Sequence, residues 1–412
     1  MHLFDLIAIL ITITAIFAYL NFCYLRLPTT IGVMFISLVV SIFIILLDLA
    51  GLDISSTAER MLLQVDFDET LMHGLLSFLL FAGALHVNLN DLAKRKWIIG
   101  SMASISTLLS TFIIGTLIWF VLGLFGLSLG YIYCLLFGAL ISPTDPIAVL
   151  SILRKAGAPK SLEIKITGES LFNDGIGVVL FIIISALAYG KVDMSAGTML
   201  SLFLEEAVGG ALFGLITGFI TYTLLSRVDN YQVEILLTLA LVTGGYALAL
   251  ALHISGPIAV VVAGLMIGNH GRLLAMSDLT REHLDTFWEL VDEILNAILF
   301  VLIGLEVLII SFSPKLAIMG MLAVLVVLLA RFISVSIPVK ILQRYREFSP
   351  HSVKILTWGG LRGGISVALA LSLPEGSERE LILSITYFVV IFSILVQGLT
   401  IGKVIDLTSR QL

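Results

Sequence analysis

The sequence predicts an all-α polytopic membrane protein with about 13 transmembrane helices. Three observations support this fold class: the composition, the lengths of the apolar runs and the distribution of basic residues. Apolar residues make up 59% of the 412-residue chain, charged residues only 13%, and the mean hydropathy is +1.10. A soluble domain carries about 25% charged residues. We therefore expect a single transmembrane domain over residues 1–412.

The apolar runs are long enough to cross a bilayer, which takes roughly 20 helical residues. The loops between them are short, and the first run lacks the basic flank and small-residue cleavage site of a secretory signal. It is therefore predicted to be the first membrane helix. The expected spans are 3–25, 28–48, 71–91, 97–125, 131–153, 162–189, 196–226, 232–252, 256–270, 284–310, 315–340, 352–373 and 381–404.

Basic residues lie mainly on one side of this arrangement. Of the 23 Lys and Arg residues, 17 fall in loops that follow odd-numbered spans or in the C-terminal tail. The opposite loops carry four, which are Arg60, Lys191, Lys315 and Arg379. The remaining two, Arg331 and Arg362, lie within spans. Because cytoplasmic loops are enriched in Lys and Arg, we expect a protein of the cell (inner) membrane with its N-terminus outside and its C-terminus in the cytoplasm.

Two spans are interrupted by helix-breaking residues. The fifth contains Ser142-Pro143-Thr144-Asp145-Pro146, where two prolines prevent a continuous helix. The twelfth contains Gly359-Gly360-Leu361-Arg362-Gly363-Gly364. Spans five and twelve run in opposite directions, which predicts two inverted six-helix repeats over about 1–190 and 232–404, with a linker helix at about 196–226. Such paired interruptions, crossing at the midplane, are typical of a transporter's binding site.

The interrupted helices expose backbone dipoles that charged residues can compensate. Asp145 lies where it can neutralise the positive helix ends, and Arg362 where it can neutralise the negative ends. Direct ion binding by these two residues remains an alternative to this structural role. The freed carbonyls around Thr144, together with its hydroxyl, are oxygen ligands suited to an alkali cation.

The sixth span places polar residues within an otherwise apolar run. Ser170 and Asp174 share one helix face, and Glu169 and Asn173 share the neighbouring face. Charge at bilayer depth costs about 2.5–3.5 kcal/mol even on lenient scales, so such residues mark ion or proton pathways. Asp174, Asn173 and Ser170 supply carboxylate, amide and hydroxyl oxygens. Glu169 needs a cation, and we pair it with Arg331 of the eleventh span as a structural ion pair.

Three further acids, Glu289, Asp292 and Glu293, begin the tenth span on the predicted cytoplasmic side. They form either an acidic funnel or pH-sensing cluster, or a solvated helix N-terminus that the dipole favours. Elsewhere the sequence suggests few partners beyond membrane lipid. The net charge of −6 is too dispersed for nucleic-acid binding, and we expect neither a disulfide nor a cofactor.

The motifs together resemble those of the sodium/proton exchangers of the NhaP and NHE type, the first monovalent cation:proton antiporter family. The resemblance rests on Thr144-Asp145-Pro146, Glu169-Ser170-Leu171-Phe172-Asn173-Asp174, Phe287-Trp288-Glu289, the run from Leu295 to Leu305 and Gly360-Leu361-Arg362-Gly363. It implies alternating access, a homodimer and exchange of Na⁺ for H⁺, with Asp174, Asn173, Ser170 and Thr144 as ion-binding residues. Asn173 resembles the electroneutral class, and the missing regulatory tail favours a prokaryotic protein.

Other functions remain as alternatives. The same fold can exchange K⁺ for H⁺, which the sequence does not distinguish from Na⁺ exchange. An intramembrane aspartyl protease would also bury two aspartates, here Asp145 and Asp174, but its Gly-x-Gly-Asp sequence is absent. A channel is a third alternative, although a broken-helix inverted repeat favours alternating access over a filter of carbonyl rings.

Overall fold

The computed structural model describes residues 3–50, 74–146, 149–150, 152–153, 160–190, 195–272, 276–308, 313–344 and 351–409. Within these ranges the regular structure is helical, apart from one isolated antiparallel bridge between Asp145 and Leu361. Part of the predicted third span, together with Arg60 and Lys191, lies outside the described residues.

The described residues form seventeen α-helices, numbered here in the order of the chain. They are α1 Leu3–Leu20, α2 Thr29–Leu49, α3 Leu76–Leu85, α4 Leu89–Lys94, α5 Lys96–Ser101, α6 Thr107–Leu124, α7 Tyr131–Ile141, α8 Lys160–Ala188, α9 Ala196–Leu225, α10 Tyr231–Ala251, α11 Gly256–Met266, α12 Asp278–Glu306, α13 Pro314–Leu342, α14 Ser352–Trp358, α15 Gly364–Leu371, α16 Ser377–Phe392 and α17 Gly398–Ser409. Short π-helical segments extend α1 and α11, and two others join α5 to α6 and α16 to α17.

The predicted all-helical membrane fold is confirmed. In the described part of the chain, eight helical segments are long and apolar enough to cross a membrane, and three apolar helices are shorter. Most helix bounds lie within a few residues of the predicted spans, but α3 ends at Leu85, six residues before the predicted end of the third span. Helix α12 begins at Asp278, six residues before the predicted span, since Ser277 caps it by accepting a hydrogen bond from Thr280 N. Lys165, which the sequence places beside a loop, lies within α8 and is buried.

Packing between distant helices follows the pattern of an inverted repeat. Helix α2 (span two) packs against α12 (span ten), and α3 (span three) packs against α11 (span nine). If span two corresponds to span nine, and span three to span ten, the repeat relates one of these packed pairs to the other. In the same way α7 packs against α8, and α15 against α16. The boundaries of the repeats at 1–190 and 232–404 stay a prediction.

Close contact between α6 and α7 positions the interruption of the fifth span. A Cβ at Gly138 would collide with the carbonyl of Thr111, so α7 approaches α6 only with glycine there. Thr111 Oγ1 then donates to Ser142 Oγ at 3.2 Å, and Ser142 Oγ donates to Gly138 O at 2.6 Å. The last turn of α7 is thereby held where the chain leaves the helix.

Candidate ion-binding site

The two interrupted spans cross in direct contact. Backbone N–H of Asp145 donates to the carbonyl of Leu361 at 2.9 Å, which makes the antiparallel bridge. Arg362 Nη1 donates to the carbonyls of Ser142 at 2.7 Å and Pro143 at 2.8 Å. These carbonyls lie just beyond α7, where the helix leaves its last acceptors unpaired. The Arg362 guanidinium therefore lies where the sequence places it, at a negative helix end.

Asp145 lies at the start of α15. A Cβ at Gly363, the N-cap of α15, would collide with the Asp145 carboxylate, so glycine is what allows this approach. The partial positive charge of a helix N-terminus favours a nearby carboxylate. The crossing thus carries an acid at one helix start and an arginine at the opposite helix end, the arrangement that dipole compensation requires.

Thr144, between the two charged residues, is bound to α8 by three hydrogen bonds. Its backbone N–H donates to Asn173 Oδ1 at 3.2 Å, and Asn173 Nδ2 donates to Thr144 Oγ1 at 2.9 Å. The hydroxyls of Thr144 and Ser170 are 3.0 Å apart. Gly177 lets α8 reach the break, because a Cβ there would collide with the Pro143 ring. The structure therefore brings Thr144, Ser170 and Asn173 into one polar cluster.

Asp174 is the adjacent carboxylate on α8, and its side chain is buried with the residue only 8% exposed. Among the residues that the structure describes, no hydrogen bond to its carboxylate is found. Asp145 and Arg362 both act on it electrostatically, with opposite sign. A buried carboxylate with this environment needs either a proton or a cation to offset its loss of hydration.

Glu169 and Arg331 are brought together as the sequence suggests. Arg331 Nη1 donates to Glu169 Oε1 at 2.5 Å, with the two residues 4% and 1% exposed. The pair joins α8 to α13, which belong to different predicted repeats. Arg331 also packs against Gly360, where a Cβ would be too close to its guanidinium. The pair thus lies beside the crossing but does not include Asp174.

A cavity of about 630 Å³ leads to Asp174. Residues of the crossing line its buried end, and its open end is lined by exposed or half-buried side chains of α4, α8 and α12 on the predicted cytoplasmic side. The lining includes Leu80, His86, Asn88, Asp91, Thr144, Asp145, Lys160, Glu163, Thr167, Asp174, Glu289, Asp292, Glu293, Asn296 and Ser366. The candidate ion site is therefore reached from one side of the protein.

The acids of the tenth span line this cavity. The alternative of a solvated helix N-terminus is wrong, because α12 begins at Asp278 and Glu289 lies in its fourth turn. The cavity is also lined by Asp91 of α4 and by Lys160 and Glu163 of α8. The sequence does not predict this, because spacing along the chain does not show which helices lie side by side. Asn296, which belongs to the motif from Leu295 to Leu305, is buried and bonded to Asp292.

Two further buried acids were missed by sequence reasoning. Glu234 of α10 is fully buried, and Glu306 at the end of α12 is 6% exposed. Asp174 differs from them in lining the cavity beside the crossing, whereas neither of these two contributes to its lining.

Comparisons with known proteins point to one family and one fold. Residues 10–406 match the family model described as "Sodium/hydrogen exchanger, transmembrane". The chain is 52% identical over 412 residues to the Na⁺/H⁺ antiporter NhaP of Pseudomonas aeruginosa, covering 97% of this chain and 96% of that relative. It is 38% identical to the Na⁺/H⁺ antiporter NhaH of Halobacillus dabanensis over 92% of each chain. The structure of the sodium proton antiporter MjNhaP1 from Methanocaldococcus jannaschii at pH 8 matches with a TM-score of 0.77 over 99% of each chain, at 19% identity, and so shows the fold alone.

We predict that Glu169→Gln and Arg331→Ala each lower thermal stability in detergent. Removal of one partner leaves the other as an uncompensated buried charge, at a cost of about 3–5 kcal/mol. Replacing both residues by apolar ones of similar size should recover part of that loss. Melting curves followed by tryptophan fluorescence measure this, and single variants that melt like the parent protein would show that the pair is not a stabilising contact.

Proposed function

The chain belongs to the family of transmembrane sodium/hydrogen exchangers, and on this premise we propose that it exchanges Na⁺ or Li⁺ for H⁺ across the cell membrane. The observation that carries the proposal is the site itself. One buried carboxylate, Asp174, lies at the inner end of a cavity and beside the hydroxyl and amide oxygens of Thr144, Ser170 and Asn173. Such an oxygen set suits a hard alkali cation.

A single carboxylate accounts for exchange without a separate coupling device. Asp174 accepts either a proton or a sodium ion, and each neutralises the same negative charge. Because the two ions exclude each other from one site, the movement of one ion inward is tied to the movement of the other outward. Asn173 is an amide whose two polar atoms are both bound to Thr144, so it holds the crossing in place and adds no second titrating group.

The loaded site is expected to cross between the two sides by alternating access. In the described conformation the cavity leads to Asp174 from the predicted cytoplasmic side, which corresponds to an inward-facing state. The contacts among Thr144, Ser170 and Asn173, and the ion pair of Glu169 with Arg331, tie α8 to the crossing and to α13. We propose that these parts move together as one unit during transport. We further propose that the protein is a homodimer with its N-termini outside the cell and that it serves pH and sodium homeostasis.

Asp145 and Arg362 keep the crossing electrically balanced during this cycle. Each lies at the helix end of opposite partial charge, so neither depends on a bound ion for its partner. Under this proposal they hold the site in shape, while Asp174 carries the change of charge state. The positive charge of Arg362 attracts the Asp174 carboxylate, and this attraction offsets part of the repulsion between Asp145 and Asp174.

The test of the function is cation-dependent proton movement in everted membrane vesicles. A pH-sensitive dye, quenched by an acid-inside gradient, should regain fluorescence when Na⁺ or Li⁺ is added. Adding K⁺ separately distinguishes sodium exchange from potassium exchange in the same fold. Vesicles from cells lacking the protein provide the background. A response to K⁺ alone would replace the proposal by K⁺/H⁺ exchange, and no response to any of the three ions would overturn it.

Asp174→Asn should abolish exchange and leave the protein folded, because the amide no longer gains or loses a proton. The exposed Asp278 of α12 offers a matched control, since Asp278→Asn changes the same groups outside the cavity. Sodium-driven proton movement in proteoliposomes is the measurement, with elution volume in gel filtration as the check on folding. Transport at the parental rate by Asp174→Asn would contradict the assignment.

Transport is predicted to be electroneutral, with one Na⁺ exchanged for one H⁺. Asn173 leaves one titrating carboxylate at the crossing, so each half-cycle moves the same net charge. A potassium gradient with valinomycin imposes a membrane potential on proteoliposomes. The initial rate of exchange should be the same at either sign of the potential, whereas a rate that follows the potential would mean that net charge is moved.

Sodium and protons should compete across pH. As pH falls, the proton occupies Asp174 more often, so the apparent KM for Na⁺ should rise while the maximal rate stays nearly constant. As pH rises, exchange should slow for want of protons, which gives a bell-shaped profile at fixed sodium. Initial rates at several sodium concentrations and pH values decide this. A flat KM with a changing maximal rate would indicate a separate regulatory site.

A further inference from the structure

Asn296 of α12 is a buried amide with an unused acceptor. The residue is 1% exposed, and its Nδ2 donates to the main-chain carbonyl of Asp292 at 2.8 Å and to Asp292 Oδ1 at 3.0 Å. Both partners are acceptors, so the amide nitrogen must face them. Its Oδ1 is buried and finds no hydrogen-bond donor in the described part of the chain.

A buried carbonyl oxygen without a partner is unfavourable, because it has given up its bonds to water. In a transport protein, an oxygen of this kind on the wall of a cavity is suited to a ligand that is not always present. Asn296 and Asp292 both line the cavity that contains Asp174. The residue that carries the unused acceptor therefore borders the same cavity as Asp174.

The pair is less exposed than Glu289 and Glu293, the two other residues of α12 that carry acids into the cavity lining. Glu289, Asp292, Glu293 and Asn296 are spaced by three or four residues along α12, so they share one helix face. Glu289 and Glu293 are exposed, Asp292 is half-buried and Asn296 is fully buried, which orders them by depth. Asp145 interacts electrostatically with both Asp292 and Asp174. The line of carboxylates therefore continues from α12 to the crossing.

We propose that Asp292 and Asn296 form a second cation-binding site, which holds Na⁺ between the cavity mouth and Asp174. The Asp292 carboxylate would supply the charge, Asn296 Oδ1 a neutral oxygen, and water the remaining ligands. These are the ligand types of a hard monovalent cation. The inference rests on the proposed exchange of sodium, and it adds to that function a site which the ion occupies on its way.

Such a site lowers the repulsion along the cavity. Asp292, Asp145 and Asp174 are like charges that line one cavity, and a sodium ion at Asp292 offsets part of their repulsion. With one carboxylate and one amide oxygen, this site offers the ion fewer protein oxygens than the crossing, where Asp174 lies beside Thr144, Ser170 and Asn173. Weak binding is what a passage site requires, since the ion must leave it for Asp174.

The decisive test measures sodium binding when the inner site is disabled. In purified Asp174→Asn protein, adding NaCl in place of choline chloride at constant ionic strength should still raise the melting temperature, because a ligand of the folded state stabilises it. The rise should be lost in Asp174→Asn/Asn296→Leu and in Asp174→Asn/Asp292→Asn. It should persist in Asp174→Asn/Glu282→Gln, which neutralises an exposed acid of α12 that does not line the cavity.

Transport kinetics give a second readout. Asn296→Leu, which changes no charge, should raise the KM for Na⁺ about fivefold, equivalent to about 1 kcal/mol, with the maximal rate within about twofold of the parent. Glu282→Gln should leave both constants unchanged. If the parent protein exchanges sodium but the melting temperature of folded Asp174→Asn protein does not respond to it, the second site is overturned and the function stands. If the parent protein exchanges no sodium, the function itself fails.

Discussion

The structure depends on one constraint, which is that backbone polar groups inside a membrane must find partners within the protein. Two spans are broken by proline and glycine, and their free N–H and C=O groups meet at the crossing. The bridge of Asp145 with Leu361 and the bonds from Arg362 to Ser142 and Pro143 satisfy part of this demand. Charged residues at this depth are therefore a consequence of the interruption, and the transport site is built next to them.

Placing the site beside the crossing gives it a rigid frame. Thr144 is held to α8 through its backbone and its hydroxyl, so the loop of the fifth span and the Asp174 carboxylate are fixed relative to each other. The ion pair between Glu169 and Arg331 then links the same helix to α13. Among the described residues, no hydrogen bond to the Asp174 carboxylate is found. The carboxylate is therefore available to exchange a proton for a cation.

Much of this arrangement was predictable from sequence, because charges and helix breakers are conspicuous in apolar runs. The interruptions at Pro143 and Gly360 follow from the helix-breaking character of proline and glycine. The acids of α8 and the partner Arg331 follow from the cost of burying charge. The relation between distant helices was not predictable. The bonds of Asn173 to Thr144, and the lack of a donor to Asn296 Oδ1 among the described residues, depend on how each helix is rotated and how deep it lies. The pattern of apolar residues in a continuous membrane span specifies neither.

The central claim is that one carboxylate exchanges a proton for a sodium ion, and proton release on sodium binding tests it most directly. Purified protein in weakly buffered detergent solution, at a pH where the site is protonated, receives NaCl while a pH dye is monitored, with choline chloride as the reference. The account predicts release of about one proton per chain from the parent protein and none from Asp174→Asn. Equal proton release from both proteins would contradict it.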